Sequence, residues 1–112
     1  YDGNCYLFEN QLMDMDGHFN NCLVQDSQLV SVGDAEEWQF LSDVLSVMKI
    51  QETSKFYIGL YDIQLTFSYM WTDETAVTFR RFAKDYPSGI TNRCVVFEAG
   101  SMKNIDCATY VG

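Results

Sequence analysis

Proline, histidine and positive charge are all scarce here: one Pro, one His, and seven Lys or Arg against sixteen Asp or Glu in 112 residues. The single imidazole and the absence of any Cys-x-x-Cys pair exclude the paired thiolate or Cys/His clusters that zinc requires. They also leave no nucleophile with a base beside it, since His18 stands next to Phe19 and no Ser or Cys has the local context of an activated nucleophile. His18 is expected to be a surface or half-buried structural residue. Gly59 and Gly100 stand alone, so there is no glycine-rich cradle for phosphate, and no catalytic residue, cofactor or metal is assigned. The acidic balance argues against nucleic acid, which needs a basic face. One Pro and seven Gly exclude a disordered or low-complexity chain. No apolar run approaches the roughly 20 residues of a membrane span, so direct insertion into a bilayer is not expected. No basic-then-apolar leader precedes Tyr1, and an export signal, if there was one, is expected on a longer precursor. Asn-x-Ser/Thr does not occur, so no standard N-glycan site is offered.

What the chain does have is apolar and aromatic content, at 47% and 15%. That suffices for one domain over residues 1–112 with its own core, near the size where crosslinks help. Four cysteines in a short chain point to disulfides and an oxidising compartment, with three pairings open. The net charge of −9 is unevenly spread. Up to Phe79, thirteen acids face only Lys49 and Lys55, whereas Arg80, Arg81, Lys84, Arg93 and Lys103 outnumber the three acids in the rest of the chain. That late basic cluster is either a solvated loop or a surface complementary to anions.

Local patterns place the elements. Tyr6-Leu7-Phe8 reads as a strand, and residues 14–23 as a helix weakened by Gly17, with Phe19, Cys22 and Leu23 on one face. Leu29-Val30-Ser31-Val32 reads as a short strand. Asp34-Ala35-Glu36-Glu37 has the form of a capping box ahead of Trp38, Leu41, Val44, Leu45 and Met48 at helical spacing, which predicts a second helix whose apolar face belongs to the core. Residues 56–61 form an apolar strand in which Gly59 suggests a close backbone approach. From Asp73 to Thr91 no period holds, and a stretch that long inside a compact domain is usually functional or disordered. Val95-Val96-Phe97 resumes as a strand, Gly100-Ser101 turns, and residues 108–111 begin a last strand.

The order of Phe56-Tyr57-Ile58-Gly59-Leu60, then Trp71-Thr72-Asp73, then Cys94 and Cys107 resembles the C-type lectin-like domain, and Cys5-Tyr6, Cys22 and Leu29–Val32 ahead of an acidic helix start fit as well. The resemblance covers nearly the whole chain. It implies an α+β fold of two helices, small antiparallel sheets and a long loop that carries ligand specificity. It also implies a Cys94–Cys107 disulfide beneath that loop, and partners for Cys5 and Cys22 outside residues 1–112, on a longer chain at both ends. A Cys5–Cys22 bridge is the rival pairing.

The sugar-binding members of that family carry Trp-Asn-Asp before the penultimate cysteine and a proline flanked by calcium ligands in the loop. This chain has Met102-Lys103-Asn104, Tyr86-Pro87-Ser88, and Arg93 where an acid often stands. Lys103 and Asn104 thus take the two ligand positions near Cys107, and an ammonium there repels a cation. Pro87 is cis in the family pattern and trans in an ordinary turn; the sequence favours neither. The resemblance and these departures together imply a calcium-independent recognition or scaffolding module of a larger extracellular or cell-surface protein. It is expected to meet a protein partner or neighbouring domains through Arg80, Arg81, Lys84, Tyr86, Arg93 and Lys103. A lectin binding glycans without calcium, acidic ones included, and a purely structural unit are the alternatives.

Overall fold

The computed structural model describes residue 6 and residues 12–47, 55–62, 68–89 and 92–111. Helices α1 (Met15–Val24) and α2 (Ala35–Val47) precede strands β1 (Lys55–Asp62), β2 (Tyr69–Trp71), β3 (Cys94–Glu98) and β4 (Ser101–Ile105). The strands form one sheet in the order β2-β1-β3-β4, antiparallel throughout. Central β1 buries four residues in succession, Tyr57 to Leu60, because both of its faces are covered. Ile58, Val95 and Phe97 pack on one side with Trp38 and Leu41 of α2, while Tyr57, Val96 and Cys94 pack on the other with Met15 of α1 and Val111. This alternation is the period of two that a pleated strand imposes.

Helix α2 forms where expected. The Asp34 carboxylate accepts the Glu37 N–H at 2.8 Å, and Glu37 reaches back to the N–H of Gly33 at 3.0 Å, one residue earlier than a regular capping box. Trp38, Leu41 and Leu45 are buried, and burying each such side chain contributes about 1.5–3 kcal/mol. The Trp38 ring lies 4.6 Å from Phe97 and its indole N–H donates to the Gly100 carbonyl at 2.8 Å.

Helix α1 is capped by Asp14, whose side chain accepts the Gly17 N–H at 2.9 Å. Its buried stripe differs from the expectation: Met15 and His18 are buried, Phe19 and Cys22 half-buried, and Leu23 is turned to solvent at 50% exposure. His18 is therefore a core residue and not a surface one, because the helix packs that side on Tyr57 and Val111. Its Nε2 pairs with the Val111 carbonyl at 2.5 Å.

Residues 29–32 do not form a strand. They cross β1 at Gly59, whose N–H donates to the Val30 carbonyl at 2.8 Å and whose carbonyl accepts the Thr72 N–H at 2.7 Å. A Cβ at Gly59 would stand 2.8 Å from Thr72 Oγ1, so the close approach is real. The expected last strand is reduced to a bridge between Val111 and Met13. Asp106 diverts the chain first, its carboxylate accepting the Ala108 N–H at 2.9 Å in a side-chain-closed turn. Strands β2 and β4 had no clear sequence signal. Leu7, Phe8 and Met48 lie outside the described residues, as do Lys49 and Cys5.

Candidate functional site

The segment after β2 runs irregularly from Thr72 to Gly89 and is fastened at a few points. At its start, Asp73 accepts the Ser31 hydroxyl at 2.5 Å and the Thr75 N–H and hydroxyl at 3.0 and 2.6 Å. Burial pushes the Asp73 carboxyl up, but the hydrogen bonds from Ser31 and Thr75 outweigh it and hold the group below the usual carboxylate range. Phe79 then packs on Trp38 at 5.9 Å and Phe82 on Tyr69 at 5.3 Å, which brings residues 79–83 onto the core. The far end is tied at Arg93, whose Nε donates to the Asp62 carbonyl at 3.2 Å while its own carbonyl accepts the Asp62 N–H at 2.8 Å. The Tyr86–Pro87 peptide is cis.

Asn104 holds the middle. It lies on β4 at 1% exposure, and alternation along the strand aims it, with Met102, away from the half-buried Lys103. Its Oδ1 accepts the Ser88 N–H at 2.8 Å, and its Nδ2 donates to the carbonyls of Ser88 at 2.6 Å and Asn92 at 3.0 Å. One buried amide thus joins both limbs of the loop tip. Near it, Tyr69 and Asp62 are buried together at 5% and 1% exposure. Burial and then the Asp62 charge push the Tyr69 hydroxyl up to about 12, against the opposing effects of Arg80 and the Asn104 amide.

The six residues singled out from the sequence do not behave alike. Arg80, Arg81, Lys84 and Arg93 are exposed and Tyr86 is half-buried. Among the described residues Arg80, Arg81 and Lys84 have no carboxylate within ion-pair distance, although acids outnumber cations by more than two to one. The Arg81 guanidinium sits 5.3 Å above the Phe79 ring, a cation–π contact that limits its wandering. Lys103 is different. Its ammonium lies 2.7 Å from Glu98 and 5.7 Å from the Tyr86 ring, and the hydrogen bond and charge of Glu98 raise its pKa. Lys55 lies 3.9 Å from the same carboxylate. Glu98 and Asn104 carried no sequence signal for these roles beyond the position of Asn104 three residues before Cys107.

Beneath the loop, Cys94 and Cys107 are joined by a disulfide with Cα atoms 5.1 Å apart, as the resemblance implied. Cys22 is half-buried on α1. Among the described residues no three His, Cys, Asp or Glu side chains gather in a metal-holding group, and no helix is long and apolar enough to cross a membrane.

The model of the "Lectin C-type domain" family matches residues 11–112. The chain belongs to the C-type lectin domain family. Among curated relatives, the bovine oxidized low-density lipoprotein receptor 1 is 24% identical over 96% of this chain and 39% of its own length. The alpha-N-acetylgalactosamine-specific lectin of Patiria pectinifera is 30% identical over 82% of this chain and 57% of its own. The chain therefore spans about two fifths to three fifths of these relatives. Among solved structures, C-type lectin CEL-I from Cucumaria echinata superposes with a TM-score of 0.86 at 23% identity, covering 96% of this chain and 84% of that one. At that identity the likeness establishes the fold, which is the C-type lectin fold of two helices and an antiparallel sheet with a long loop.

Proposed function

We propose that this C-type lectin domain is a calcium-independent recognition module of a larger extracellular protein, and that it meets a protein partner through the long-loop face around residues 79–93. The observation that carries the reading is Asn104. Calcium takes six to eight oxygen ligands at about 2.3–2.6 Å, and the residues at the family's ligand positions do not fit that need. Tyr86 and Ser88 flank Pro87 in place of a carboxylate and an amide, Arg93 brings a guanidinium, and Lys103 brings an ammonium bound to Glu98. The only amide oxygen among them, Asn104 Oδ1, already accepts the Ser88 N–H, and Nδ2 bridges loop carbonyls. The loop is held by a side chain where a cation would otherwise gather oxygens.

Exposed cations and aromatic rings on that loop support the choice of face, since Arg and aromatic residues are enriched where binding energy concentrates. A glycan-binding role without calcium is the second reading. It is favoured by the relative named as an alpha-N-acetylgalactosamine-specific lectin and by the same cations, which suit acidic sugars. A glycan array probed with and without chelator tests both points. Chelator-sensitive sugar binding overturns calcium independence, and chelator-resistant sugar binding favours the second reading over the first. On the proposed reading Cys5 and Cys22 pair with cysteines beyond residues 1–112; peptide mapping that finds them joined to each other overturns that part.

A further inference from the structure

Strand β4 is not the outer rim of the sheet. Residues 81–83 run parallel beside it, with a bridge between Phe82 and Met102. The Met102 N–H donates to the Arg81 carbonyl at 2.8 Å, and the Ala83 N–H donates to the Met102 carbonyl at 2.9 Å. In an extended chain, successive residues turn their backbone groups to opposite sides. Arg81 and Ala83 face β4, so Arg80 and Phe82 face away from it. Among the described residues neither the N–H nor the C=O of Arg80 or Phe82 has a hydrogen-bond partner. Phe79 on Trp38 and Phe82 on Tyr69 anchor this segment to the core, so the unpaired groups belong to an anchored edge. The same run carries Arg80, Arg81 and Lys84, exposed and without ion-pair partners among the described residues.

We propose that the edge formed by residues 79–84 accepts an extended acidic segment of a protein partner as an added strand. The backbone groups of Arg80 and Phe82 would pair with the incoming strand, which is how exposed sheet edges bind peptides, and the three cations select its charge. A second copy of this chain is a poor occupant, because pairing like edges brings the two sets of cations together, and like charges opposed across strands are destabilising. The inference rests on the long-loop reading above and adds the chemistry and conformation of the partner.

The test uses fluorescence anisotropy with a labelled peptide of alternating Glu and Val, the same peptide N-methylated at every second residue, and dextran sulfate as a charged probe that cannot form a strand. The parent peptide is expected to bind, with N-methylation and the Arg80→Glu/Arg81→Glu double substitution each weakening it about tenfold or more. Equal binding of parent and N-methylated peptides, combined with sensitivity to the arginine changes, overturns strand addition and leaves the long-loop face standing. Binding insensitive to the arginine changes overturns both. Dextran sulfate bound through Arg80 and Arg81 while neither peptide binds overturns the proposal in favour of an acidic glycan. A melting temperature close to that of the parent protein certifies that the double variant is folded.

Discussion

Two segments without regular structure lie at different places on the same sheet, and each is fastened by buried polar side chains that pair with backbone carbonyls. Over residues 106–111, the Tyr57 hydroxyl donates to the Thr109 carbonyl at 2.6 Å and His18 pairs with the Val111 carbonyl. Backbone bonds from Met13 and Met15, and the Cys94–Cys107 disulfide, support them. At Ser88 and Asn92, Asn104 supplies the buried side-chain bonds, beside local bonds from the Asn92 side chain to the Ser88 carbonyl at 3.3 Å and from the Asn92 N–H to the Gly89 carbonyl at 2.9 Å. The first segment is redundantly held, whereas among the described residues Asn104 is the buried side chain that ties the second to the sheet. A backbone that cannot pair in a ladder must find other partners when buried, and among the described residues the chain meets that demand with several buried groups at one end and the buried Asn104 amide at the other.

The substitution expected to separate the two segments most is Asn104→Leu. It leaves the Ser88 N–H and the Asn92 carbonyl without their partner, while the Ser88 carbonyl keeps its bond from Asn92 Nδ2, at about 1–3 kcal/mol for each group that stays buried. A loss of about 4 kcal/mol is expected in urea denaturation on that basis, with faster hydrogen exchange over residues 88–92 and little change over 106–111. Uniform acceleration at both places would show that the two segments are one cooperative unit. Replacing Cys94 and Cys107 by Ser opens a short loop, at a cost of about 3 kcal/mol in the chain-entropy account. Exchange should then rise around residues 107–111 first. Tyr57→Phe is expected to cost only about 1 kcal/mol, because His18 and the Met13 pairing remain; a cost as large as that of Asn104→Leu would refute the redundancy. Smallest of all, Arg80→Glu with Arg81→Glu should alter stability by about 0.5 kcal/mol or less, since both residues are exposed to water.

Both regions also share a tyrosine whose ionisation tests burial. Burial, with the charges of Asp14 and Asp106, pushes the Tyr57 hydroxyl up to about 12, much as burial and Asp62 do for Tyr69. The native state therefore keeps protons that the unfolded chain releases near the ordinary tyrosine value of 10.0. Stability from these groups is complete below pH 10 and falls as pH rises from 10 towards 12. Asp73 acts in the other direction. Its lowered pKa supplies stability above the unfolded value that is lost as acid protonates it, and Asp73→Asn should reduce the acid sensitivity of melting.

How much of this was legible differs between elements for physical reasons. Helix α2 announced itself because a cap, an acidic first turn and a 3.6-residue apolar period all agreed. The apolar run in β1 and the approach at Gly59 were equally plain. Strand β4 was not, since one of its two buried positions is Asn104, and a buried amide looks like a solvated residue until its partners are known. The ending misled in the opposite sense: residues 108–111 have strand-like content, yet Asp106 closes a turn and leaves only Val111 to pair. The full burial of His18 was not visible because its partner, Val111, lies 93 residues away. At the candidate site the cations were visible from composition, whereas the capture of Lys103 by Glu98 depends on strand register, which pairs Glu98 with Ser101 and Val96 with Lys103.

Asn104 has one more consequence, for how a bound partner would leave. A loop shaped by a metal ion can be emptied by dilution, by a chelator or by acid, and its ligand is then released with the ion. A loop shaped by an amide has no such trigger, since the amide neither titrates nor dissociates across the physiological range. On the proposed reading, release from this face follows the intrinsic off-rate and the ionic strength, and a complex formed outside the cell would survive a fall in calcium or pH that empties a metal-shaped loop.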